Sequence, residues 1–294
     1  MKGSEKDHLH KRRFLMGNPT AHIEQLVDMG SERLATPEEV SAGRFLLQNP
    51  YAYLDEDGAL KALETSPRAH NQHDLKAIAR AVRNTHIQLW KSRNKLWQGN
   101  PPQSPVDLLN PLKAAELFGF TASEHDSLGF YVDRFEKVGV AGILDRGKRE
   151  IRISRDFAIP ERRFTAAHEI GHLVLHPNIS ILHRDRAVTG SKIVRDRVEF
   201  EADKFAVYFL LPAKLIRAEF EERFLTQRFE LNADTEFALG KRNLKNLKRS
   251  KRTLCRDLAQ SIQFNGKFFI SLAERFGVTV ETMAIRLEEL RIVK

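Results

Sequence analysis

The stretch "FTAAHEIGHLVLHP", residues 164–177, holds three of the chain's eleven histidines. Two of them, His168 and His172, bracket Glu169 in the pattern H-E-x-x-H. Residues four apart share one face of an α-helix, so both imidazoles can give a nitrogen to one metal ion with Glu169 beside it. Zinc favours nitrogen donors, and a catalytic zinc site keeps one position for water. The ion acidifies that water, and a neighbouring glutamate can take its proton and pass it to a leaving amine. The spacing alone does not decide for a metal. The pattern arises by chance in roughly a few per cent of chains of this size. Ala166, Ala167, Gly171 and the apolar run from Leu173 to Leu175 suit an ordinary buried helix equally well.

A third ligand is the discriminating requirement. Downstream, "RVEFEADKFAVYFLLP", residues 197–212, places Val198, Ala202, Phe205 and Phe209 on one helical stripe. Glu199 and Glu201 compete for the role, and at about 100° per residue they point nearly opposite ways. Glu199 shares its face with Asp203, Ala206 and Leu210, whereas Glu201 goes with Lys204 and Tyr208. Carboxylates on a small, apolar face need a cation or hydrogen-bond donors. Glu199 is therefore the better ligand candidate, and Glu201 reads as a surface partner of Lys204. Asp203, one turn on, can accept the outer N–H of a ligating histidine and fix its tautomer. Two histidines and one glutamate are a known catalytic zinc set, although manganese or iron can occupy the same donors. His176 sits two turns beyond His168 and reads either as a site residue or as a helix-end histidine before Pro177. His183 and Tyr208 are further candidates for stabilising an oxyanion.

The elements that must hold these residues are mostly helical. "ATPEEV" offers Thr36 as an N-cap, Pro37 at the first helical position and Glu39 at the capping-box position. "HDLKAIARAVRNTHIQLWKSRNKLWQ" spaces Leu75, Val82, Leu89 and Leu96 seven apart, one long amphipathic helix. Trp90 and Trp97 lie on it among cations and could stack bases, though heptad-spaced aromatics are more commonly core. "QGNPPQSPVDLLNP", 98–111, carries four prolines and reads as a linker. "GVAGILDRGKREIRIS" predicts two strands with a turn near "DRGK", and the helix of the histidines starts at Pro160. Near the end, "SLAERFGVTVETMAIRLEEL" has helix-turn-helix spacing with Gly277 at the turn. Glu281, Glu288 and Glu289 would face phosphates badly, so a structural helix pair is the preferred reading.

The chain has 294 residues, 41% hydrophobic and 30% charged, as in a globular protein with a sizeable core. No apolar run approaches the roughly 20 residues that span a bilayer, no secretory signal is visible, and one cysteine excludes a disulfide framework. These features give a cytoplasmic expectation with no membrane partner. The net charge is +9, and "GKRNLKNLKRSKR", 240–252, alone holds seven Lys or Arg and no acid. Such a run is usually a solvated linker, but it can also attract nucleic acid without reading sequence.

Together, "RRFTAAHEIGHLVLHP" and "VEFEADKFAVYFLLP" resemble the ImmA/IrrE family of zinc metallopeptidases. That family's pattern is F-T-x-A-H-E-x-x-H-x-x-x-H followed by E-x-x-A-N/D-x-F-A. The resemblance covers roughly residues 106–290 and implies Zn2+ held by His168, His172 and Glu199, with Glu169 as catalytic base. Asp203 falls where the family more often has asparagine, which keeps the hydrogen bond and adds charge. The implied fold is α+β and mostly helical. It has a minimal zincin-like core with a small β-sheet at 106–215, an N-terminal helical module at 1–105 and a C-terminal helical segment at 216–294. The implied activity is that of a cytoplasmic endopeptidase cutting a regulatory protein, typically a helix-turn-helix repressor, in phage, DNA-damage or anti-phage defence regulation. The strand at 150–154 could pair with an extended substrate. Activation by single-stranded DNA or another nucleic acid would involve Trp90, Trp97, Lys241, Arg242, Lys245, Lys248, Arg249, Lys251 and Arg252. The alternatives are a DNA-binding transcriptional regulator with a structural or vestigial metal site, and a partner that binds a repressor without cutting it.

Overall fold

The computed structural model describes residues 72–133, 136–178, 181–185, 197–240 and 250–294. The capped helix expected at "ATPEEV" and the basic residues 241–249 lie outside them. The heptad-spaced segment forms α1 (Gln72–Leu96), and Pro111 at the first turn opens α2 (Pro111–Leu117), where Asn110 Oδ1 accepts from the N–H of Leu112 and Lys113. A sheet follows: β1 (Thr121–His125), β2 (Phe130–Asp133), β3 (Glu136–Asp145) and β4 (Glu150–Ser154). The chain then enters α3 (Ile159–Leu175), β5 (Ile181–Asp185) and α4 (Arg197–Leu210). The remainder is α5 (Ala213–Phe224), α6 (Ala233–Ala238), α7 (Lys251–Gln260), the hairpin β6 (Gln263–Phe264) and β7 (Lys267–Phe268), α8 (Leu272–Phe276) and α9 (Val280–Glu289). The architecture is α+β and mostly helical, as expected.

The two predicted strands are β3 and β4, joined by the turn at Arg146–Arg149. The sequence did not signal β1, β2 and β5, because their short segments lack clean alternation. The sheet runs β1-β4-β3-β2, and β5 pairs with β3. β4 is parallel to β1 and antiparallel to β3, so both of its edges are taken. The expectation that an extended substrate adds to residues 150–154 is therefore incorrect: β1 already occupies that edge.

The four-proline stretch is not a free connector. Val106, Leu108 and Leu109 within it are at most 2% exposed, and Arg275 of α8 reaches back to Asp107 Oδ1 at 2.7 Å. One contiguous apolar cluster runs from Ile78, Val82 and Leu89 of α1 through Ala167 and Ile170 of α3 and Phe205 and Phe209 of α4 to Leu258, Leu287 and Ile292. Each fully buried large side chain stabilises the fold by about 1.5–3 kcal/mol. The expected boundary near residue 105 thus falls inside this cluster, with α1 packed across α4.

Two glycines set how closely the site elements meet. A Cβ on Gly171 would stand 3.0 Å from Ala202 Cα and 3.1 Å from Phe205 Cβ, so its absence lets α3 and α4 cross at backbone contact. A Cβ on Gly142 would stand 2.6 Å from Thr165 Cγ2 and 2.7 Å from Glu169 Oε1. β3 therefore lies directly against the carboxylate of Glu169, beside an irregularity in its pairing with β5 between Val140 and Gly142.

The candidate metal centre

The centre is built at the α3–α4 crossing. α3 starts where Pro160 fits a first helical turn and Glu161 accepts from the N–H of Ala158 at 3.1 Å. Its last turn is held from the sheet: Arg146 Nη2 donates to the carbonyls of His172 at 2.7 Å and His176 at 2.9 Å. A cation there satisfies carbonyls that the helix leaves open and complements its dipole. α4 starts at Arg197 and carries Glu199 in its first turn, the favourable end for an acid. Its far end is fixed by α1, where His86 Nε2 donates to the carbonyl of Phe209 at 3.0 Å.

His168 and His172 are each 1% exposed, and their Nε2 atoms are 2.8 Å apart. The Glu199 carboxylate lies 3.2 Å from His168 Nε2 and 3.3 Å from His172 Nε2. All three donor atoms lie within 4.8 Å of one another, a group able to hold a metal ion. Tetrahedral coordination with bonds of about 2.0–2.1 Å separates ligand atoms by about 3.3 Å, so the spacing fits an ion of zinc's size. Asp203 Oδ1 is 2.9 Å from His168 Nδ1. A carboxylate only accepts, so His168 Nδ1 carries a proton, and in the neutral ring Nε2 is the nitrogen left to ligate at the centre.

The electrostatics favour the ligating forms. Burial lowers the His172 pKa and keeps the imidazole neutral. Burial pushes the Glu199 carboxyl up, but the two imidazoles facing it outweigh this and hold it well below the usual carboxylate range. Glu169 is fully buried against Gly142 and Thr165. Burial also lowers the His86 pKa to about 4, against the hydrogen bond to Phe209.

The structure reassigns several other residues. Glu201 does not pair with Lys204. It accepts from Arg197 Nε at 2.8 Å and lies 3.0 Å from His176 Nε2, while Lys204 reaches Glu289 at 2.7 Å. The helical-wheel phase was right, but α4 crosses α3 so that this face meets His176 instead of solvent. Tyr208 is 1% exposed beneath the guanidinium of Arg286, at 4.9 Å, and is not open to a substrate. The side chain of His183 lies outside the described residues. Among the nucleic-acid candidates, Trp90 is 8% exposed with Arg93 stacked 3.8 Å above its ring, so no face is open to a base. Trp97 is partly buried against the core. Arg252 is engaged by Glu281 at 2.9 Å and Glu288 at 2.6 Å. Lys251 is exposed, and Lys241, Arg242, Lys245, Lys248 and Arg249 lie outside the described residues. The helix-turn-helix spacing is real, with Gly277 left-handed at φ 61°, but Met283, Ala284 and Leu287 face the core.

Sequence reading missed His86, Arg146 and the His176–Glu201 contact. Only the last had a signal, the repeat of histidines at every fourth position of α3. No helix among the described residues is long and apolar enough to cross a membrane. No curated protein matches the chain. Residues 124–240 match the family model described as the IrrE N-terminal-like domain, Peptidase_M78. The match begins within β1, spans β2 to β5, α3, α4 and the three donors, and ends before α7 to α9. Residues 124–240, which hold the three converging donors, are thus similar to the IrrE N-terminal-like peptidase domain.

Proposed function

We propose that the protein is a zinc-dependent endopeptidase that cleaves a regulatory protein, a helix-turn-helix transcriptional repressor, in stress, phage or defence regulation. The observation that carries this reading is the convergence of His168 Nε2, His172 Nε2 and the Glu199 carboxylate next to Glu169, inside a peptidase-family domain. A zinc ion held by these donors would supply Lewis acidity towards a water and a peptide carbonyl. Glu169 would serve as the general base, taking a proton at its carboxylate and passing it to the leaving amine. Its burial against β3 keeps the carboxylate in one position. Asp203 fixes the ring of His168. An extended substrate finds a sheet edge in β5, which among the described residues pairs only with β3.

The test is incubation of the zinc-loaded protein with purified helix-turn-helix repressors, with and without single-stranded DNA, read for product fragments. Glu169→Gln is expected to keep zinc and lose about 10²–10⁴-fold in rate. Intact repressor with the wild-type protein under every condition would sink the endopeptidase reading. The regulator with a structural metal site would then gain, supported by the seven cations of residues 240–252. Binding to single-stranded oligonucleotides that weakens steeply with salt is the expected mark of nucleic-acid activation; salt-independent or absent binding removes it.

A further inference from the structure

His176 and Glu201 have no part in the reading above, yet they are joined to the centre in a line. Glu201 Oε2 lies 3.0 Å from His176 Nε2, and His176 Nδ1 lies 3.1 Å from His172 Nδ1. His172 in turn directs Nε2 at His168 and Glu199. The other carboxylate oxygen of Glu201 accepts from Arg197 Nε at 2.8 Å. His176 is 8% and Glu201 16% exposed, so neither is a freely rotating surface group.

We propose that His176 and Glu201 are positioning residues that set the tautomer and orientation of His172 for metal binding. The chemistry runs in one direction. A carboxylate can only accept, so the proton of His176 is on Nε2. In the neutral ring Nδ1 then holds a lone pair and accepts from His172, which places the His172 proton on Nδ1. His172 Nε2 is left as a lone pair facing the centre. Asp203 does the same for His168 in one step. The two ligating histidines are thus oriented by separate carboxylates on the same helix, one direct and one through a third ring. With both outer nitrogens protonated, two Nε2 lone pairs face each other at 2.8 Å, an arrangement that calls for a cation. Arg197 strengthens the direction by occupying the second oxygen of Glu201.

This inference rests on the metal-site reading, and its test reads metal affinity instead of peptide cleavage. Zinc affinity is measured by competition with a chromophoric chelator, and the Co2+ d–d spectrum reports the donor set. Glu201→Gln can turn its amide N–H towards His176, which reverses the order of protons and leaves His172 Nε2 protonated. A loss of about 10–100-fold in zinc affinity is expected for Glu201→Gln and for His176→Ala. His176→Asn keeps an acceptor where Nδ1 stands and is expected to recover most of the affinity. Unfolding of the metal-free proteins separates this from a packing defect, since a structural role predicts matched losses in stability for alanine and asparagine. Wild-type affinity in Glu201→Gln and His176→Ala, or equal loss in His176→Asn and His176→Ala, overturns the proposal. If the wild-type protein binds no zinc or Co2+, the metal-site reading itself fails. If it binds metal but cuts nothing, only the peptidase reading fails.

Discussion

The α3–α4 crossing and the α7–α9 pair both bring acidic and basic side chains together, with opposite outcomes. Between α7 and α9, Arg252 and Arg256 meet Glu281 and Glu288 at 2.5–2.9 Å, with side chains a third to a half exposed. Those charges cancel in pairs and require nothing more. At the crossing, two imidazoles 1% exposed and one carboxylate turn their Nε2 and oxygen atoms towards a common point, with Asp203 bonded to the outer nitrogen of His168. Surface pairs of the first kind are worth little. A buried set of acceptors is costly unless a cation completes it. Charge content therefore does not separate the two regions; what separates them is whether the polar atoms satisfy one another.

The comparison can be broken first at the donors. Glu199→Ala is expected to weaken zinc binding by more than about 100-fold, beyond the range of outer-shell changes, as read by chelator competition. Affinity near wild type would show that the crossing is as self-sufficient as the α7–α9 pair. Gly142→Ala is expected to lower the cleavage rate by about 100-fold with zinc retained, because its methyl displaces Glu169. A variant with unchanged rate would mean that the β3 contact does not position the base.

A subtler difference lies in pH. The folded pKa of His86 is about 4, below its ordinary 6.5, so protonation favours the unfolded chain. Stability from this group is complete above pH 6.5 and is lost as pH falls towards 4. His86→Gln keeps a donor for the Phe209 carbonyl without the titration. By pH 5 the wild type should have lost about 2 kcal/mol more than the variant, relative to pH 7.5, in denaturant unfolding of the metal-free proteins. Parallel pH profiles would remove His86 as the cause. The smallest effect is expected at the other region. Arg252→Ala should cost less than about 1 kcal/mol and leave zinc affinity unchanged. A change in affinity there would couple the two regions, and the Lys204–Glu289 and Arg286–Tyr208 contacts between α4 and α9 would be the route.

Much of the centre was legible because helix periodicity places residues within one element. The spacing of His168 and His172, and the choice of Glu199 over Glu201 by face, required only the α-helical repeat. Asp203 followed from the same wheel. What one helix meets on another is not periodic information. Glu201 was paired with its own neighbour Lys204 when its partner is His176 on α3, because the angle and depth of the crossing depend on Gly171 fitting against Ala202. β4 was taken for an edge because β1, which covers it, carries too short and polar a pattern to be recognised. The proline-rich stretch was taken for a linker because proline marks irregular backbone and says nothing about burial. Val106, Leu108 and Leu109 are irregular and buried at once.

The bond from His86 to the carbonyl of Phe209 joins α1 to the last turn of the helix whose first turn carries Glu199. A helix is stiff along its axis, so α1, α4 and the carboxylate form a rod and lever in series. A shift of α1 would be delivered to α4 as a whole, to Glu199 directly and to the ring of His168 through Asp203. α1 is thus tied to the donor set through the far end of one of its two helices.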